Sequence, residues 1–336
     1  MTDVRFGVSF DGFEDTATAL ATARQVIAAG AESLWMAEHM GYREALVTSM
    51  GFRMNDPNAV VVPTAVSPYL WHPSPTAMSL ATLAEVGTAP VGIAVGVGNP
   101  LFLAESGKAV EKPIRAVREF VECMRALWSG EAVHYQGEMF QLAGARLGFR
   151  PPQPLLVYVA AMGEQMLALS GRIADGVALS AGLSAAYCKT SLQKVDASAR
   201  EAGRDPEMLR RASYLFFAIS EDGRKAVDLV RPKLAFLLRN KLLKENIAVT
   251  GVPVDQERII DAISRRDMDE AARLVSDDAV EAFSICGTAK SCSERLEAFI
   301  ESGINEPVLM VMGEKPERDL ALKFLREHTG GNFDQK

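Results

Sequence analysis

The stretch PLLVYVAAMGEQMLALSGRIADGVALSAG, residues 154–182, contains one turn of a pattern that runs through the whole chain. An apolar, β-rich run (155–160) stops at Gly163, a helical segment follows, and a second apolar run (176–180) succeeds it. Both runs are apolar on both phases, as parallel strands covered by helices should be. Working outward, similar runs stand upstream at 4–10, 33–37, 59–66 and 91–97, and downstream at 212–219 and 307–312. Helical segments separate them, each with its own punctuation. Gly30 ends "DTATALATARQVIAAGA", Ser74 and Pro75 open "SPTAMSLATLAEVG" as N-cap and first-turn residues, and Thr288 caps "AKSCSERLEAFIESG". Ile114, Val117, Val121, Met124 and Trp128 repeat at helical spacing.

Eight strands alternating with helices predict an α/β fold, a (β/α)8 TIM barrel with helical insertions. An open doubly wound sheet is the rival architecture, and the strand count alone does not exclude it. The chain has 336 residues, against ~250 for a typical barrel. The excess falls mainly in a charged helical stretch at about 230–282, read as an insertion. No linker, repeat or low-complexity segment interrupts the chain, so a single domain is expected over 1–336.

Composition narrows the function classes. At 48% hydrophobic and 24% charged the chain resembles an ordinary globular protein with a sizeable core. A net charge of −7 argues against a nucleic-acid partner, which normally meets a basic face. Cys123, Cys188, Cys286 and Cys292 are scattered with no CxxC pair, the usage of a reducing compartment. With no signal-peptide pattern and no apolar run near the ~20 residues of a membrane span, a cytoplasmic protein without a membrane partner is expected. Gly96 and Gly98 follow a strand, but position 101 is leucine, so the three-glycine dinucleotide fingerprint fails. There is no P-loop and no GxSxG elbow. The four histidines (His39, His72, His134, His328) show no ligand spacing, and no metal site is expected.

Polar residues at strand C-termini remain, and that rim is where barrels place their chemistry. Glu38 and His39 end the second strand, Ser67 to His72 follow the third, and Gly98-Asn99 the fourth. "AAMGEQM" (160–166) ends the fifth and Ser180 to Gly182 the sixth. Gly163 turns a strand directly into a helix, which presents backbone N–H groups where a phosphate is well received. Each feature also has a plain structural reading: a hydrogen-bonded histidine, turns at Asn99 and Gly163, rim packing by Trp71.

"SLWMAEH" (33–39), "PIRAVREFVECMRALWSGEAVHYQGEMFQL" (113–142), residues 154–182 and "CGTAKSCSERLEAFIESGINEPVLM" (286–310) together resemble the bacterial luciferase-like superfamily. The likeness is to its coenzyme F420-dependent branch, which includes methylenetetrahydromethanopterin reductase. It runs from about residue 4 to about 312, and 230–282 has no assignable counterpart. The resemblance implies a rim-bound 5-deazaflavin or flavin and hydride transfer to a small organic substrate, a methylene-pterin among the options. It implies His39, with Glu38 beside it, as the catalytic pair. Ala161, Met162, Gly163 and Glu164, with Gly176 and Val177 adjoining, would hold the cofactor tail. Ala65, Val66 and Ser67 would back the ring at a bulge whose cis peptide is non-prolyl in the family; here Ala65 replaces glycine, and Ser67-Pro68 offers a prolyl alternative. Asn99 joins the cofactor set, and Trp71 and Phe10 the substrate pocket. F420 is the expected cofactor and FMN the alternative, the latter implying a monooxygenase served by a separate flavin reductase. A cofactor-binding protein without catalysis is the further alternative. Family habit implies a homodimer.

Overall fold

The computed structural model describes residues 4–329; the first and last residues of the expected 1–336 domain lie outside them. Its strands are β1 (Gly7–Phe10), β2 (Ser33–Ala37), β3 (Val60–Thr64), β4 (Gly92–Val95), β5 (Val133–Gln136), β6 (Gln141–Ala145), β7 (Leu156–Ala161), β8 (Gly176–Leu179), β9 (Arg210–Ile219), β10 (Ile285–Gly287) and β11 (Glu306–Val311). Eight of them pair in parallel in the order β3-β2-β1-β11-β9-β8-β7-β4. The two edges meet through parallel bridges Val61–Val91 and Val66–Val95, which nearly close the sheet. The result is the expected barrel, with helices between successive strands, and the open doubly wound alternative is set aside. The eight are the strands read from the sequence, with ends that differ by up to three residues.

Three features escaped that reading. β10 is a three-residue strand beside the C-terminal half of β9. β5 and β6 form an antiparallel hairpin off the barrel. The buried Glu119 carboxylate anchors it by accepting the N–H groups of Glu138 (3.1 Å), Met139 (2.8 Å) and Phe140 (3.1 Å). Residues 45–55 form a helix whose N-cap, Glu44, accepts from Leu46 and Val47 N–H. The stretch expected as an insertion, about 230–282, is helical: the helix Arg224–Leu238 runs into it and short helices continue to Asp277–Ala282.

Register defines what faces inward. Ser9 pairs with Trp35, Trp35 with Val62, and Ala94 with Tyr158. Ala178 pairs with Ala212, and Tyr214 with Val308. Trp35, Val62, Ala94, Tyr158, Ala178, Ala212 and Val308 accordingly form a closed cluster inside the barrel, separate from the larger core between sheet and helices. Below it lies a polar floor. Tyr158 Oη donates to Glu306 Oε2 at 2.8 Å, Trp35 Nε1 donates to Ser33 Oγ at 2.9 Å, and Arg210 Nη1 lies 3.8 Å from Glu306 Oε1. Burial pushes the Glu306 carboxyl pKa up.

Candidate active site

Above the closed cluster the inward side chains become small: Ser9, Ala37, Gly96, Ala160 and Ser180. Ser9, Ala37, Ala160 and Ser180, with Tyr214 and Met310, keep part of their surface exposed, whereas Trp35, Val62, Ala94 and Tyr158 one layer down have none. The barrel is therefore plugged below and open at its C-terminal mouth. Gly96 keeps that mouth wide, since a Cβ there would lie 2.9 Å from Ala160 Cβ and 3.1 Å from Ala65 Cβ. The Tyr214 hydroxyl is buried beside the Ser9 and Thr64 side chains, and burial pushes its pKa up.

Thr64-Ala65, at the end of β3, is the single cis peptide among the described residues, and it is non-prolyl. The Ser67-Pro68 alternative is thereby corrected, and the cis bond falls at the leading edge of the expected trio. Within that trio Ala65 keeps exposed surface, while Val66 and Ser67 are buried. Val66 exchanges backbone bonds with Ala94 and Gly96, and Ser67 Oγ donates to Val97 O at 2.7 Å. Their side chains serve the wall, not its surface.

His39 follows β2 with its Nδ1 at 2.8 Å from Asp11 O. A carbonyl oxygen only accepts, so Nδ1 carries the proton and Nε2 is the acceptor in the neutral ring. Phe13 stacks on the imidazole at 5.1 Å and Phe102 meets it edge-on at 6.4 Å, while Tyr42 packs on Phe13 at 4.5 Å. These aromatics follow β1, β2 and β4, Phe13 and Tyr42 on loops and Phe102 on the helix Pro100–Glu105, and sequence reading missed them. The only signal is a bulky aromatic after each of three rim strands, with nothing in the sequence to link them to His39. Glu38 points elsewhere: its Oε2 accepts from Ala45 N at 2.9 Å and its carboxylate bonds Trp71, with burial raising its pKa. It ties the rim to a helix N-terminus and fixes Trp71.

After β7, Gly163 opens the helix Glu164–Ile173 with no side-chain cap and nothing within 4 Å of where its Cβ would sit. Met162 O accepts from Tyr187 Oη at 3.2 Å, and Ala161 is buried. Glu164 is exposed in the first helical turn. Asn99 caps the helix Pro100–Glu105, its Oδ1 accepting from Leu101 N at 3.0 Å. Three expected site residues are elsewhere. Phe10 is on the outward phase of β1 and packs on Phe52, with centroids 4.7 Å apart. Gly176 and Val177 open β8 at the floor end, where Gly176 faces the Tyr158 ring. Gly176 pairs with Tyr158, three residues short of the β7 rim, or ~10 Å at the rise of a strand. The β8 residue at the mouth is Ser180.

Among the described residues no group of three or more His, Cys, Asp or Glu side chains is placed to hold a metal ion, and no helix is long and apolar enough to cross a membrane. All four cysteines are buried and free.

Against known proteins, the family model for luciferase-like monooxygenases matches residues 4–306. The chain belongs to the luciferase-like monooxygenase family. Within reach of this luciferase-like chain is the 5,10-methylenetetrahydromethanopterin reductase of Archaeoglobus fulgidus, 26% identical over 83% of this chain and 85% of the relative. The F420-dependent glucose-6-phosphate dehydrogenase of Nakamurella multipartita is 25% identical over 87% and 86%. Among solved structures, the coenzyme F420-dependent tetrahydromethanopterin reductase of Methanopyrus kandleri superposes with a TM-score of 0.87 at 24% identity, covering 97% of this chain and 98% of that one. That likeness carries the barrel and its helix order.

Proposed function

We propose that the protein is an oxidoreductase transferring a hydride between coenzyme F420 and a small organic substrate, a methylene-pterin among the candidates. The observation that carries this reading is the open mouth: a barrel closed one layer down, with Gly96, Ala65 and Ala160 leaving a cradle that any larger side chain would fill. The residues fit a flat tricyclic ring, which needs small groups on the wall and a polar group within the mouth such as the Tyr214 hydroxyl. F420-dependent relatives support the choice of cofactor.

When bound, the deazaflavin supplies the hydride donor or acceptor. The chain's own residues do the rest. Ala65 and Gly96 would back the ring, and the Ala161–Glu164 turn would offer its uncapped N–H groups to the tail phosphate. His39 holds or moves a proton at Nε2, its ring fixed by the Asp11 carbonyl. Phe13 and Phe102 exclude water around it. Glu38 acts as a positioning residue through Trp71 and Ala45. The same proposal takes the molecule as a single-domain, cytoplasmic homodimer that receives reduced cofactor from a separate reductase; sedimentation velocity tests the dimer.

The activity test mixes the protein with reduced F420 and candidate imines or carbonyl compounds under nitrogen and follows reoxidation of the cofactor. Substrate-dependent reoxidation is expected. Oxygen consumption with reduced FMN, and none with F420, would replace this reading with the monooxygenase. Cofactor binding without turnover of either kind would leave a binding protein.

A further inference from the structure

The insertion has no role in the account so far, yet it crosses the mouth. Along the helix Arg224–Leu238 and the turn after it, Leu229, Lys233, Phe236 and Asn240 follow at spacings of 4, 3 and 4, so they share one stripe. Two of the four are tied to the rim. Leu229 and Lys233 also border a cavity of about 330 Å³ outside the barrel wall, lined by Val8, Phe10 and the helices Thr16–Ala28 and Lys315–His328 as well as by Asp11–Glu14. Lys233 Nζ lies 3.8 Å from Asp11 Oδ2, and Asn240 Nδ2 lies 4.0 Å from Met162 Sδ. Asp11 follows β1 and Met162 follows β7, strands four places apart in an eight-stranded ring and therefore on opposite sides. Phe236 sits between Lys233 and Asn240 on that stripe, 42% exposed.

Arg239 lies on that ring, its Cζ 3.6 Å from the Phe236 centroid, and one guanidinium N–H donates to Phe236 O. Four other arginines of the insertion are ion-paired: Arg224 and Arg231 with Asp228 and Asp277, Arg258 and Arg265 with Glu270. Arg239 is half-buried, burial alone pulls its pKa down, and no carboxylate among the described residues offsets that cost. A guanidinium has five N–H donors in a fixed fork, and only one is used. The segment is held in place. Buried Asn246 donates to Gly182 O at 2.9 Å and accepts from Ser184 N at 2.8 Å, and Gln256 Nε2 donates to Leu238 O at 2.8 Å and Asn240 O at 2.9 Å. Lys241 and Lys244 stand nearby against the single acid Glu245.

We propose that the Phe236–Arg239 pair is an anion anchor on the roof of the mouth, taking a carboxylate or phosphate carried by the molecule bound beneath it. The anchor rests on the mouth being the binding site, and it assigns the insertion to recognition. The anion belongs either to the cofactor tail or to the substrate, and the two sources separate by experiment.

Wild type, Arg239→Ala, Arg239→Lys and Phe236→Ala are titrated with F420, with the corresponding 5-deazaflavin lacking its phosphate, and with inorganic phosphate before and after F420 loading. Thermal melts establish that each variant is folded. If the tail is the ligand, the affinity advantage of F420 over the phosphate-free ring falls ~10-fold in Arg239→Ala and partly returns in Arg239→Lys. If the substrate carries the anion, that advantage stays and phosphate binding to the F420-loaded protein weakens ~10-fold. Both advantages unchanged in a folded Arg239→Ala variant overturn the anchor, as does a wild type that neither binds phosphate nor prefers the phosphate-bearing cofactor. Should wild type bind no F420 at all, the functional reading fails separately; phosphate affinity then decides the anchor, lost in Arg239→Ala if it stands and retained if it falls.

Discussion

The two ends of one barrel interior are built from the same strand phase and do opposite things. At the floor, Tyr158, Trp35, Ser33 and Glu306 fill the lumen and satisfy one another, with Glu306 only 2% exposed. At the mouth, Ser9, Ala37, Gly96, Ala160 and Ser180 are too small to fill the lumen and several keep exposed surface. The difference teaches that one end is built for packing and the other left open, and substitutions at each end should fail in different ways.

The largest expected effect is at the mouth. His39→Ala should lower kcat by ~10²–10⁴-fold, the usual worth of a positioned acid or base, with F420 affinity within a few-fold of wild type. Stopped-flow turnover beside a binding titration checks this; full turnover in the variant removes His39 from the chemistry. Phe10→Ala, on the outward phase, should cost ~3–5 kcal/mol of stability by denaturant melting and leave the KM of the folded enzyme unchanged. A raised KM with little destabilisation would return Phe10 to the pocket. Gly96→Ala should weaken F420 binding ~10-fold or more, because its Cβ meets Ala160 at 2.9 Å and both neighbours are short, stiff side chains. Unchanged affinity would mean the ring lies elsewhere.

The smallest effect sharpens the floor. Glu306→Gln should cost ~1–3 kcal/mol and leave cofactor affinity alone. Its pH dependence has a definite sign. The folded-state pKa of Glu306 lies above its ordinary 4.5, so above that pH the unfolded chain gives up a proton that the folded chain keeps. Wild-type stability from this group is full below about 4.5 and is lost as pH rises toward the folded pKa. Gln cannot titrate, so the variant's deficit in Tm should be greatest near pH 4.5 and narrow toward pH 7. A deficit that widens instead would mean the folded carboxyl is held ionised by Arg210.

The sequence reading reached the eight strands because buried parallel strands are apolar on both phases. That same property hid the site's orientation. Where both phases are apolar, nothing in "VRFGVSF" tells Phe10, which faces Phe52, from Ser9, which faces the mouth. Nor does "ADGVALSAG" say which end is up, and Gly176 was placed at the rim when the ring of Tyr158 explains it at the floor. His39 was legible because a charged pair ends an apolar strand; its aromatic neighbours were not, since segments after three different strands supply them. The hairpin β5–β6 was missed because its short strands depend on Glu119, distant in sequence.

The central claim is that the open mouth is a deazaflavin site. Fluorescence titration of the purified protein with F420 and, in parallel, with FMN tests it most directly, with Gly96→Ala as the control that narrows the mouth. Tight, saturable F420 binding that the variant weakens, with FMN bound at least ~10-fold more weakly, is the predicted result. Tight FMN binding with no F420 binding, or F420 binding indifferent to Gly96→Ala, would contradict it.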